Sequence, residues 1–157
     1  MDVVIKIIAD WLVILVVLIG GYVLLFRLPN KQRYQTYLRV LMAGLTAYVV
    51  AKIIGLLYQP VELRPFELLG VDPGASFLNN PGFPSDHALF VMAITLAMWF
   101  GAKQRKLAIV CLILTILVGV GRILALVHTP LDVIGGFIIA WAGVFWYFLP
   151  KSHKNLN

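Results

Sequence analysis

Five apolar stretches, at about residues 7–26, 38–58, 85–101, 107–127 and 131–149, take up most of this 157-residue chain. Each approaches the roughly 20 helical residues that cross a hydrocarbon core of about 30 Å. Backbone amides in hydrocarbon must be satisfied within their own segment, so the expected fold is all-α, a polytopic bundle of five transmembrane helices. Composition agrees: 61% of residues are hydrophobic and 13% charged, too few charges to cover a soluble surface. No repeat, low-complexity tract or second domain is visible, and residues 1–157 read as a single integral-membrane unit. The first stretch lacks the basic flank and small-residue cleavage site of a signal peptide and reads as a helix of the mature protein. Cys111 stands alone in an apolar run and offers neither a disulfide nor a thiolate metal site.

The charges assign an orientation. Arg27, Lys31, Arg33 and Arg39 lie between the first two stretches, Lys103, Arg105 and Lys106 between the third and fourth, and Lys151 and Lys154 after the fifth, with no acid in any of these segments. The alternate ends hold all seven acids, Asp2, Asp10, Glu62, Glu67, Asp72, Asp86 and Asp132. Basic loops mark the cytoplasmic side, which predicts the N-terminus outside and the C-terminus cytoplasmic. The net charge of +6 is thus a topology signal with anionic headgroups as sufficient partners, and it gives no support to a nucleic-acid partner.

The connection at 59–84 is the long one, with five of the eight prolines and Gly70, Gly74 and Gly82. Its apolar residues, Phe66, Leu68, Leu69, Val71, Phe77, Leu78 and Phe83, predict a lid lying at the outer interface rather than a solvated linker. Ionisable residues gather on the same side. Lys52 lies about 9 Å below the outer end of the second stretch. Arg64 is in the loop, Asp86 and His87 open the third stretch, Arg122 and His128 close the fourth, and Asp132 opens the fifth.

Each of these has a plain structural explanation by itself. Lys52 can snorkel to the interface. Ser85 is a good N-cap and Asp86 a good first-turn residue. His128 with Asp132 can be a structural hydrogen bond, and Arg122 with Asp132 a buried ion pair. Their gathering on one side is what a purely structural bundle would not need, because ionisable groups near hydrocarbon are costly. Three cations, two histidines and two carboxylates together suggest an anion site with acid–base groups in it.

The strings GFPSDHA at 82–88 and GRILALVHTPLDVIGG at 121–136, preceded by Lys52 and by the RPF of 64–66, resemble the type 2 phosphatidic acid phosphatase family, particularly its small bacterial members similar to undecaprenyl-pyrophosphate phosphatases. The blocks span about residues 50–145 in the family's order. Eleven residues separate Lys52 from Arg64, more than the family pattern, and Gln59-Pro60 stands at the nearer spacing. Gly121 takes the place of a common serine, Asp86 that of a glycine, and the resemblance implies six spans where five are counted. It also implies a bacterial cytoplasmic membrane, a lipid phosphate substrate and no cofactor.

Phosphoryl transfer needs an in-line nucleophile, cations around the equatorial oxygens and a proton for the leaving oxygen. His128 would attack phosphorus, with Asp132 orienting its ring. Lys52, Arg64 and Arg122 would hold the phosphate beside the helix start at Ser85 and Asp86. His87 would protonate the leaving oxygen and then activate water. The carboxylate of Asp86 would repel a phosphate, and its expected task is to orient Arg64, Lys52 or His87. Two rivals stay open: a metal-dependent hydrolase using His87, His128 and Asp132 as ligands, and a lipid-phosphate-binding protein without chemistry. Undecaprenyl pyrophosphate is the expected substrate, with phosphatidate and phosphatidylglycerophosphate as alternatives.

Overall fold

Residues 3–58, 64–78, 80 and 82–150 are described by a computed structural model and contain helices and connections but no strand. Asp2, Glu62, Lys151 and Lys154, which enter the charge asymmetry, and Gln59-Pro60 lie outside the described residues. Four helices are long and apolar enough to cross a membrane: α1 (Val3–Arg27), α2 (Asn30–Leu57), α5 (Arg105–Leu124) and α6 (Pro130–Tyr147). Between them lie a short helix, α3 (Pro65–Leu69), and an apolar helix, α4 (Asp86–Gly101). At 1.5 Å per residue α4 is only roughly 24 Å long.

That short helix is the centre of the bundle. One of its faces packs with α1 and α5 through Val16, Val23, Val91, Met98, Cys111 and Val118. Another packs with α2 and α6 through Ala47, Ala51, Leu89, Met92, Ile139 and Val144. Without water between helices in a membrane, close van der Waals packing and small residues carry association. Gly136 of α6 shows how close: a Cβ there would come within 2.7 Å of the Ser85 carbonyl oxygen and 3.0 Å of the Leu89 amide nitrogen. Buried hydroxyls add a polar tie. Thr95 and Thr115 Oγ1 atoms lie 3.0 Å apart and both donate to the Val91 carbonyl, joining α4 to α5.

At the end of the bundle carrying the basic connections, Arg39 donates to the carbonyls of Tyr147 and Leu149 at 3.3 and 2.6 Å. A cation among otherwise orphaned carbonyls at a helix C-terminus is favourable. At the other end, three consecutive carbonyls after α5 are claimed by the long connection. Ala125 accepts from the Gly74 amide, Leu126 from the Phe66 amide, and Val127 from Arg64 Nη1. Phe66 and Ala75 are buried against Ala9, Ala125 and Val127. The segment expected to form an interfacial lid therefore acts, in its described part, as a brace. Its outward residues Leu68, Leu69 and Leu78 remain exposed.

The brace explains a difference from the sequence expectation. Helix α5 stops at Leu124 instead of running to 127, and Leu126 adopts φ +60°. A leucine in the left-handed region is strained and persists only where its surroundings fix it. Here the loop's hydrogen bonds do so, and the turn delivers His128 to the bundle mouth.

Candidate active site

The helix starts build the site. Ser85, fully buried, caps α4: its Oγ accepts weakly from the Ala88 amide at 3.5 Å, and its own amide donates to the Asp132 carbonyl at 3.0 Å. This bond locks the start of α4 to the first turn of α6. Thr129-Pro130-Leu131-Asp132 is a capping box with proline at the first helical position. Thr129 Oγ1 accepts from the Asp132 amide at 3.2 Å, and Asp132 Oδ2 accepts from the Thr129 amide at 2.7 Å. The same Oδ2 stands 3.6 Å from His128 Nδ1. That is slightly long for a hydrogen bond, and His128 Nδ1 has no closer partner among the described residues. The carboxylate thus faces one ring nitrogen and leaves Nε2 on the other side of the ring.

Arg64, Asp86, His87, Arg122 and His128, with Leu78 and Asn80, wall a small cavity of about 10 Å³, the room of roughly one water. Arg122 is completely buried. Its Nη1 donates to Asp10 Oδ1 at 3.0 Å, while Nε and Nη2 have no partner among the described residues. Buried polar atoms are nearly always hydrogen-bonded, and an unpartnered buried guanidinium edge costs free energy until an acceptor arrives. The ion pair of Arg122 with Asp132 weighed from the sequence is replaced by one with Asp10.

Arg64 sits differently. Nη1 goes to the Val127 carbonyl at 2.7 Å, and Nη2 to the carbonyls of Leu78 and Asn80 and to Asn80 Oδ1 at 2.9 to 3.0 Å. Its guanidinium also lies over the Phe77 ring, 5.3 Å from the centroid. The side chain braces the loop against the His128 turn while its charge stays in the cavity wall. Lys52 Nζ lies 2.9 and 3.2 Å from the Asp86 oxygens and 5.1 Å from the Tyr48 ring centroid. Among the partners considered for Asp86, the contact is with Lys52. Asn80 Nδ2 also donates to Asp86, at 3.2 Å.

Electrostatics at His128 follow from this packing. Burial holds its pKa below the ordinary histidine value; Asp132 pulls upward, and Arg122 and Arg64 push down. The imidazole is therefore neutral at neutral pH, the form with a free lone pair. At Arg64 burial lowers the pKa, against Asp132, Glu67 and Asp86. Among the described residues no three histidine, cysteine or carboxylate side chains are grouped as a metal site.

All eight residues picked out from the sequence, Lys52, Arg64, Ser85, Asp86, His87, Arg122, His128 and Asp132, thus lie at this one end of the bundle. Asp10 and Asn80 join them. Asp10 carried a signal, an acid in an apolar run that calls for a partner, while Asn80 in the long connection carried none.

A family model for the PAP2 superfamily matches residues 36–155. The chain belongs to the PAP2 superfamily. It is also 32% identical over 119 residues to the undecaprenyl-diphosphatase BcrC of Bacillus subtilis (strain 168). That similarity takes in 76% of this chain, which spans about 60% of the relative's length. No solved structure matches. The PAP2 match starts inside α2, so the motif blocks around Lys52, Ser85 and Arg122 fall within it, whereas α1 and Asp10 fall outside.

Proposed function

We propose that this PAP2 protein is a membrane lipid phosphatase that cleaves polyprenyl diphosphate, undecaprenyl diphosphate in particular, to the monophosphate through a phosphohistidine at His128. The observation that carries the reading is the fully buried Arg122, with two unpartnered nitrogens, walling the same cavity as the neutral His128. An anion would satisfy those nitrogens, and a phosphoryl group held there would lie beside a nucleophile.

In the proposed reaction His128 Nε2 attacks phosphorus and the bond to the bridging oxygen breaks. Arg122 and Lys52 spread the equatorial charge, with the free amides at the start of α4 behind them. His87 gives its proton to the departing lipid monophosphate. It then takes one from a water that attacks the phosphohistidine, releasing inorganic phosphate and regenerating His128. Asp132 balances the charge that His128 acquires, and Asp86 holds Lys52 at the cavity mouth. Three cations provide the positive charge that a metal ion would otherwise supply.

The lipid tail has a place to go. An apolar cleft of about 900 Å³ opens between α1, α2 and α4, lined among others by Val17, Leu41, Leu45, Phe90 and Ile94. Lys52, Asp86 and His87 stand at its polar end, so a phosphate at the cavity would leave its hydrocarbon in the cleft. The name of the Bacillus relative supports a polyprenyl diphosphate. Phosphate release by purified protein in chelator, from undecaprenyl diphosphate, phosphatidate and phosphatidylglycerophosphate side by side, tests the reading. The highest kcat/KM is expected for the diphosphate. Preference for a glycerophospholipid would reassign the substrate, activity restored only by added zinc or magnesium would establish the metal rival, and no release from any lipid would leave a binding protein.

The proposal includes five spans, with the site outside the bacterial cytoplasmic membrane, where glycan transfer leaves the polyprenyl diphosphate. It rests on the acid-free basic connections at the opposite end. A membrane-impermeant thiol reagent on intact cells, in a Cys111→Ser background, is expected to label Asn80→Cys and to spare Arg105→Cys. The reverse pattern would invert the topology.

A further inference from the structure

Asp10 stands outside the PAP2 match, and the reaction described above gives it no part. Yet its carboxylate is tied on both sides: Oδ1 accepts from Arg122 Nη1 at 3.0 Å and from Ser76 Oγ at 2.9 Å, and Oδ2 from the Ser76 amide at 3.0 Å. The backbone is shaped to bring it there. A Cβ at Gly121 would come within 2.9 Å of the Ala9 amide nitrogen and 3.0 Å of Ala9 Cα, so the glycine lets α1 press against α5 one residue away from Arg122. Over Ile7–Trp11 the helix widens to i→i+5 bonding, the Leu12 amide donating to the Ile7 carbonyl. Such widened turns recur at functional sites.

We infer that Asp10 is a positioning residue of the phosphate site: it grips one nitrogen of Arg122 so that Nε and Nη2 are held ready for the transferring phosphoryl group. A free arginine side chain carries large rotamer freedom, and only a planar fork already oriented can meet two phosphate oxygens at once. Lys52 and Arg64 get their orientation from residues within the family match, Asp86 and the loop carbonyls. Arg122, the most buried of the three, gets it from α1. Ser76 holds the carboxylate from the loop side, so the brace that fixes the His128 turn fixes Asp10 as well.

The inference rests on the phosphatase reading, and its test separates the two. Asp10→Asn and Asp10→Glu are made in the full chain, and kcat, KM and inhibition by orthovanadate, a mimic of the transferring phosphoryl group, are measured on the monodisperse fraction in detergent. Asp10→Asn is expected to lower kcat by about tenfold to a hundredfold with a smaller change in KM. Vanadate inhibition should weaken by a similar factor, and Asp10→Glu should recover part of both. An acid serving the fold alone would lower the thermal midpoint and yield but leave kcat and vanadate inhibition of the folded fraction at wild-type values; that result overturns the inference. Should Asp10→Asn not fold, Ser76→Ala loosens the carboxylate while sparing the ion pair. Several-fold losses in kcat and vanadate inhibition are then expected, and no change in either overturns the inference. Wild-type protein that cleaves no lipid phosphate overturns the phosphatase reading and this inference together, whereas an active wild type indifferent to Asp10→Asn overturns the inference alone.

Discussion

His128→Ala is expected to stop phosphate release, with turnover down by at least about ten-thousandfold, the scale of losing the nucleophile of a catalytic unit. The side chain removed is small and sits at the mouth of the bundle, outside the main packing clusters on α4. The protein should therefore still fold, and loss of activity without loss of monodisperse protein is the informative result. Acid-labile phosphorylation trapped by rapid quench should disappear with it. His87→Ala should behave differently. With a leaving group that needs no proton, it should still become phosphorylated at His128 but hydrolyse the intermediate slowly, so that label accumulates. Undiminished turnover in His128→Ala would eliminate covalent catalysis at this residue and shift attention to direct attack by water.

The burial that keeps His128 neutral, as the proposed nucleophile must be, also sets its pH range. Because its pKa lies below the ordinary 6.5, protonation, which blocks attack, begins only at pH values below that point. Phosphohistidine formation is expected to persist into mildly acidic buffer and to fall as pH drops through the lowered pKa. An acid limb centred above 6.5 would mean that the Asp132 attraction outweighs burial.

Much of this was legible in the chain, for identifiable reasons. Apolar runs long enough for a bilayer became helices, because hydrocarbon leaves the backbone few alternatives; their ends fall within four residues of those expected except at α2, which starts at Asn30 rather than at 38. The capping box at Thr129-Pro130-Leu131-Asp132 is local chemistry, and local chemistry reads well. What depended on distant partners did not. Nothing in Ala125-Leu126-Val127 says that three carbonyls will be claimed by a loop some 50 to 60 residues earlier, so the end of α5 and the bracing role of the loop were out of reach. For Asp86 the sequence offered three partners, and only the packing of α2 on α4 selects Lys52. Asp10 was visible as one of several acids at one end of the bundle, but its partner lies 112 residues away.

Arg122→Met is expected to cost about a hundredfold to a thousandfold in kcat/KM, the range for removing a preorganised donor from a reacting oxyanion. Methionine fills similar space without charge, so the packing of α5 on α1 and α4 should be disturbed little. What remains is Asp10 with only Ser76 as a partner, which costs some stability, and a phosphoryl group with Lys52 and Arg64 but no fork. Arg122→Lys should recover little of the loss, since a single ammonium cannot hold two oxygens and its shorter reach stops at Asp10. A second readout separates this account from simple loss of structure. Arg122 is one of the charges pressing the His128 pKa down, so removing it should raise that pKa towards the ordinary value. Protonation then sets in at higher pH, and the acid limb of phosphohistidine formation should move up. A damaged but otherwise unchanged site would lose amplitude at every pH and keep its limb where it was. If Arg122→Met kept activity within about threefold of wild type, the buried guanidinium would be structural, and the phosphate would have to be held by Lys52, Arg64 and the helix start alone.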